Sequence, residues 1–212
     1  MRSQETISDV VPDTPLPDGR HPVLRVIPQP SIDLAAAERA AAAFLHALGI
    51  DLDSEVMAQT PKRMARGFAE LLEPREFTLT TFPNTERYDE MVAARHIPFV
   101  SLCEHHMFPF VGFATVGYLP GDRILGLSKL ARVVEHFARR PQVQERFTAQ
   151  IARWLDEHLG PRGVGVIVDA EHLCMTIRGV RATGARTTTS ALLGAFRDDP
   201  RVRAEFLDLA GD

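Results

Sequence analysis

Four consecutive residues, Cys103-Glu104-His105-His106, put a thiol, a carboxylate and two imidazoles into one short stretch. The only other cysteine, Cys174, stands downstream beside another imidazole, in His172-Leu173-Cys174. Thiolate and imidazole are ligands that zinc prefers, and the spacing Cys103-x-x-His106 lets both reach one ion. Cys174 supplies a third ligand. Three protein ligands leave a position for water, as in catalytic zinc, whereas a fourth from His105 or His172 would close the site as a structural one. Read as a strand, residues 172–178 place His172, Cys174, Thr176 and Arg178 on one face and Leu173, Met175 and Ile177 on an apolar face. An open zinc position lowers the pKa of bound water toward about 7. Unligated His105 and His172, with ordinary pKa values near about 6.5, suit proton transfer beside it. Glu104 is read as a supporting hydrogen-bond partner, pointing away from its neighbours.

Two further stretches could hold a charged ligand. Gly126-Leu127-Ser128-Lys129-Leu130-Ala131-Arg132 places a hydroxyl, an ammonium and a guanidinium in the first turns of a helix. Free N–H groups and the helix dipole favour anions there, and Lys129 and Arg132 share a face. Polyphosphate is the natural ligand; a capped helix with solvated basic residues is the plainer alternative. Gln142-Val143-Gln144-Glu145 opens the next helix. A carboxylate there can accept two N–H bonds from a purine amidine edge such as that of guanine, and the neighbouring amide can meet sugar hydroxyls. An acid favoured by the helix dipole is the plainer alternative. Lys62, Arg63 and Arg66 lie in the first turns of an earlier helix, where a solvated basic face also explains them.

The elements that must position these groups follow from period and punctuation. Residues 1–30 carry Pro12, Pro15, Pro17, Pro22, Pro28 and Pro30 and read as a disordered arm. A helix capped by Ser31 or Asp33 runs to Leu48, with Ala37, Ala41, Phe44, Leu45 and Leu48 as its buried face and Gly49 as its stop. Thr60-Pro61 starts a second helix, with Thr60 as its cap, ended by Pro74. Residues 77–80 read as a short strand, 90–102 as a longer one, and Phe110 to Leu119 as a third. Ser128 caps a third helix and Pro141 opens a fourth, which Gly160-Pro161 closes. Strands follow over 163–169, 172–178 and 187–190, then a terminal helix over 200–209. The order is α+β, with antiparallel hairpins on either side of a helix pair.

Composition narrows the function classes. A 212-residue chain with 45% hydrophobic residues can bury a sizeable core. A net charge of −4 gives no electrostatic case for nucleic acid or an anionic membrane. No signal-peptide pattern and no apolar run near the roughly 20 residues of a membrane helix appear, so a cytoplasmic location is expected. Two cysteines in such a chain do not make a disulfide framework.

Taken together, several stretches resemble the zinc-dependent GTP cyclohydrolase I family. They are Thr60-Pro61-Lys62-Arg63, Asp89-Glu90-Met91-Val92, Ser101 to His106, Gly126-Leu127-Ser128-Lys129, Arg140 to Arg146, His172-Leu173-Cys174, Arg178-Gly179-Val180-Arg181 and Thr187 to Ser190. The likeness runs in order from about Leu34 to Leu209. It implies a tunnelling fold over residues 76–212, preceded by a helical part over 31–75. It implies Cys103, His106 and Cys174 as ligands of one Zn2+ per subunit, and His105 and His172 as catalytic residues. The implied reaction is hydrolytic opening of the GTP imidazole ring at C8, loss of formate, and recyclisation to 7,8-dihydroneopterin triphosphate, the first step of folate and pterin biosynthesis. Glu145 would hold the guanine edge with Gln144 close by. Ser128, Lys129, Arg132 and Arg178 would bind ribose and triphosphate, and Arg63, with Arg66, would reach the phosphates from a neighbouring subunit. The implied assembly is a homodecamer of two stacked pentamers with sites between subunits. Arg66 where lysine is frequent, Phe147 where a smaller aliphatic is common, and the stretch 182–186 depart from the pattern. The alternative is a non-catalytic protein of the same fold held together by zinc, which would not need Glu145, His105, His172, Lys129 and Arg178.

Overall fold

The computed structural model describes residues 31–75 and 77–211. The proline-rich arm expected over residues 1–30 lies outside the described residues. Helix α1 (Leu34–Ala47) is capped by Asp33, whose carboxylate accepts the Ala36 N–H at 2.9 Å. Gly49, at φ +76°, takes the left-handed conformation that stops it. Ala41 and Leu45 are buried as expected, but Phe44 and Leu48 are exposed. The reason is that α1 packs chiefly on one neighbour, α2 (Thr60–Leu72), which covers only a narrow stripe. Thr60 is not the cap of α2. That position falls to Gln59, and the Thr60 hydroxyl accepts from Arg63 Nη2 at 3.2 Å.

The short strand expected over 77–80 falls later in the chain, at β1 (Thr81–Pro83), and β2 (Val92–Cys103) and β3 (Pro109–Leu119) follow. β4 (Arg123–Leu125) pairs with β1 as a separate ribbon. The helix pair is α3 (Ser128–Ala138) and α4 (Gln144–Leu159), with β5 (Pro141–Gln142) between them. Ser128 makes no cap bond, since Leu127 occupies the cap position. Pro141 does not open a helix. It extends alongside β2 in parallel, with Leu102 opposite Pro141 and Cys103 opposite Gln142, and α4 begins only at Gln144. β6 (Gly163–His172), the single turn α5 (Leu173–Thr176), β7 (Thr187–Gly194), α6 (Ala195–Asp198) and α7 (Pro200–Gly211) complete the chain.

The main sheet has the order β5-β2-β3-β6-β7, antiparallel except at β5. α3 lies over β2, and α4 lies over β6 and β7. This is the expected α+β layout of the tunnelling fold, an antiparallel sheet with a helix pair on one face. The principal core fills the gap between them, with Phe110, Val116, Leu130, Phe147, Ile151, Leu155, Val164 and Val166 fully enclosed. Phe147, one of the departures, sits 4.9 Å from the Phe99 ring and is accommodated there.

The expected strand over 172–178 is replaced by α5. β6 has a partner only as far as His172, which opposes Phe110 near the start of β3. Beyond that point no strand lies opposite, so the chain satisfies its own backbone groups by turning helical, with Ile177 N donating to Leu173 O at 3.2 Å. Met175 and Ile177 are therefore exposed rather than core, while Cys174 and Thr176 are buried.

On the other face, Gly117 and Gly165 oppose one another across β3 and β6. Their missing side chains leave a notch that receives Phe196 of α6 and Phe206 of α7, both fully buried. A Cβ on Gly165 would lie 2.4 Å from Phe196 Cδ1. Gly165→Ala is expected to cost about 1–3 kcal/mol through overpacking, read as a lower denaturation midpoint; an unchanged midpoint contradicts the notch.

His136 of α3 is half-buried and lies edge-on against Phe77, with ring centroids 5.9 Å apart. Its Nε2 is 3.1 Å from Arg140 Nη2. Burial, and then the Arg140 charge, push its pKa down to about 4. The folded state thus holds fewer protons than the unfolded state below the ordinary value of about 6.5. Stability present above about 6.5 is lost as pH falls toward about 4, by at most about 3 kcal/mol. Denaturation midpoints measured across that window should fall less steeply for His136→Leu than for the wild type; parallel profiles contradict this assignment.

Candidate metal centre and active site

The centre forms where three strand ends meet. Cys103 is the last residue of β2, and the chain turns back through residues 104–108 into β3. Cys103 O accepts from Met107 N at 2.7 Å, and Cys103 N donates to Phe108 O at 2.9 Å. Met107 takes φ +56° to complete the turn. His105 and His106 are thereby held above the strand end and exposed, while Cys103 remains buried. On the far side of β3, Phe110 opposes His172, and α5 then carries Cys174 back toward the turn.

The ligand atoms of Cys103, His106 and Cys174 all lie within 4.8 Å of one another. Cys103 Sγ is 3.9 Å from His106 Nδ1 and also 3.9 Å from His105 Nδ1. Zn–S and Zn–N bonds of about 2.3 and 2.0 Å set at tetrahedral angles place neighbouring donor atoms about 3.5–3.8 Å apart. The three donors therefore fit one ion after small side-chain adjustments. Both cysteines are free thiols. Burial pushes the Cys174 thiol up, the adjacent Cys103 sulfur adds to this, and Arg178 partly opposes it. A cation between the two sulfurs reverses that balance, because metal binding favours the thiolate.

His172 is held by more than its strand. Its ring stacks flat on Phe110, with centroids 4.6 Å apart and planes 1° from parallel. Its Nε2 lies 2.7 Å from Gln144 Oε1. Gln144 is 2% exposed, and its Nε2 donates to Val168 O at 3.1 Å, Thr187 O at 2.7 Å and Thr189 Oγ1 at 3.2 Å. The two carbonyls can only accept, so the amide nitrogen faces them and the amide oxygen faces His172. That oxygen accepts a hydrogen bond from Nε2–H, which leaves Nδ1 as the acceptor of the neutral ring. Burial lowers the His172 pKa, and the Glu145 carboxylate partly opposes this.

The structure thus brings together Cys103, His105, His106, His172, Cys174, Gln144, Glu145 and Arg178. Gln144, expected at the sugar or base, has both amide atoms engaged within the protein and serves His172. Glu145, in the first turn of α4, is exposed. The other basic residues are placed elsewhere. Ser128, Lys129 and Arg132 ride on α3. Arg63 and Arg66 are on α2, where Arg63 Nη2 donates to Val56 O at 2.7 Å. Among the described residues, no hydrogen bond or ion pair ties these five to the Cys103 centre. Sequence reasoning missed the Phe110 stack and the Gln144 brace, for neither of which residue type gives a signal. The spacing Gln144-Glu145 marked the right turn but not which face each residue takes.

Fold and site together define a candidate metal-dependent enzyme on an α+β scaffold. The family profile described as GTP cyclohydrolase I matches residues 37–211. Three curated relatives bear the name GTP cyclohydrolase 1. That of Rhodopirellula baltica is 44% identical over 214 residues, covering 98% of this chain and 93% of the relative. That of Mycolicibacterium gilvum is 51% identical over 187 residues, covering 85% and 92%. That of Aquifex aeolicus is 48% identical over 179 residues, covering 84% and 97%. The chain belongs to the GTP cyclohydrolase I family, hydrolases acting on C–N bonds.

Replacing one sulfur leaves two ligands and an unfavourable oxygen. Cys174→Ser is expected to reduce bound zinc from about one per chain to near zero, measured by metal analysis after gel filtration. Full zinc occupancy in the variant contradicts the ligand set.

Proposed function

We propose that the chain is a zinc-dependent GTP cyclohydrolase I. It opens the GTP imidazole ring by hydrolysis at C8, releases formate and recloses the product as 7,8-dihydroneopterin triphosphate, the first step of folate and pterin biosynthesis. The observation that carries this reading is the approach of Cys103, His106 and Cys174 within 4.8 Å of one another, beside a braced imidazole and a carboxylate, in a chain of this family.

Cys103, His106 and Cys174 would hold the zinc. The ion would supply a Lewis acid that makes water acidic enough to lose a proton near neutral pH. His172, with Nδ1 free to accept, takes a proton from the attacking water, and its Gln144 bond steadies the imidazolium that results. His105, on the same turn as the ligands, carries protons to the departing nitrogen and carbon fragments. Glu145 accepts the two N–H groups of the guanine edge and so orients C8 toward the centre. Ser128, Lys129, Arg132 and Arg178 hold ribose and triphosphate. Arg63 and Arg66 add positive charge from a neighbouring subunit of a decamer made of two pentamers. Residues 31–75 form the helical part that builds this assembly, and residues 76–212 form the catalytic domain. The reducing cytoplasm keeps both thiols available as ligands.

The zinc-loaded protein incubated with GTP should release formate and, after oxidation and dephosphorylation of the product, yield fluorescent neopterin. Stoichiometric zinc with no formate would contradict the enzyme reading and favour a protein in which zinc only stabilises the fold.

A further inference from the structure

Glu104 is the one member of the Cys103–His106 stretch that the mechanism leaves without a task. Its carboxylate Oε2 pairs with Arg146 Nη2, in the first turn of α4. The guanidinium is already fixed before Glu104 reaches it. Arg146 Nε donates to Gln142 Oε1 at 3.0 Å, and Nη2 donates to Pro141 O at 3.1 Å. Gln142 is itself 1% exposed, with Nε2 donating to Phe137 O at 2.8 Å and Gln150 Oε1 at 2.9 Å. The Glu104 backbone is tied to the same place, its N–H donating to Gln142 O at 3.0 Å. A planar guanidinium locked by two other acceptors offers the carboxylate a single docking geometry.

The pair joins two parts of the site that come from different segments. One end is the 103–107 turn with Cys103, His105 and His106. The other is the first turn of α4 with Gln144 and Glu145. The two side chains are 34% and 43% exposed, and ion pairs so exposed contribute little to stability. Their value here is positional. We infer that the Glu104–Arg146 pair is a strut that sets the distance between the metal-ligand turn and the guanine-reading turn of α4, so that Glu104 is a positioning residue for turnover. The inference rests on the proposed GTP reaction. Base binding at Glu145 survives loss of the strut, whereas alignment of C8 with the reacting water does not.

The test uses the full-length zinc-loaded protein, wild type against Glu104→Ala, Glu104→Gln, Arg146→Ala and the Ala–Ala double variant. Glu104→Ala should lower kcat about tenfold or more, since small misplacements cost that much. KM for GTP should stay within about threefold. Bound zinc should remain stoichiometric. Glu104→Gln keeps an acceptor oxygen for Arg146 and should recover most of the turnover. The double variant should be no slower than the slower single variant, because both remove one interaction. Amide hydrogen exchange over residues 104–107 should quicken about tenfold in Glu104→Ala, with the α4 amides unchanged. The strut is overturned by unchanged exchange over that turn, by turnover within about twofold of wild type, or by effects that multiply in the double variant. An inactive wild type overturns the proposed reaction, and the exchange measurement then still decides whether the strut exists.

Discussion

The register of β3 is the constraint on which the site depends. This strand pairs with β2 on one side and β6 on the other, and its Phe110 stands opposite both Ser101 and His172. That single alignment puts the end of β2, with Cys103, beside the end of β6, with Cys174 two residues on. Residues about 70 positions apart in sequence thus become neighbours without a long-range ion pair or a disulfide. A slip of one residue would turn Cys103 or His172 to the opposite face. The alignment is enforced by the apolar residues of all three strands, Phe99, Phe110, Val116, Val164 and Val166 among them, which must all face α3 and α4.

β5 extends the same logic to the first turn of α4. Two residues in parallel register, Pro141 beside Leu102 and Gln142 beside Cys103, fix where α4 begins relative to the centre. α4 then delivers Gln144 inward and Glu145 outward. The buried amide of Gln144 meets three acceptors through its nitrogen and His172 through its oxygen. A buried polar group satisfied in this way is rigid, because each lost partner would leave an unpaired group in the core. The rigidity is passed to the His172 ring, which Phe110 also holds from one side.

Much of this was legible in the sequence, for identifiable reasons. Cysteine and histidine are rare enough that Cys103-x-x-His106 and Cys174 stood out as candidate ligands, with His172 beside them for proton transfer, and the α+β order followed from apolar period. The helix starts were read less well. Thr60, Ser128 and Pro141 have the side chains of helix openers, but tertiary context assigned them other work: Pro141 is recruited into the sheet, and Thr60 meets Arg63. The strand drawn through 172–178 failed because a strand needs a partner, and no sequence pattern says that β3 starts only at Pro109. The Gly117–Gly165 notch was invisible for the same reason, since it exists only once β3 and β6 are aligned. Arg146 and Gln142, ordinary polar residues by type, gain meaning only from what they touch.

The proposed chemistry depends on the three donors sharing one ion. X-ray absorption at the zinc edge of the zinc-loaded protein tests this directly. Two sulfur neighbours at about 2.3 Å and nitrogen or oxygen neighbours at about 2.0 Å are predicted, with one imidazole scattering pattern. A shell with no sulfur or one sulfur, or with two or more imidazoles, would contradict it.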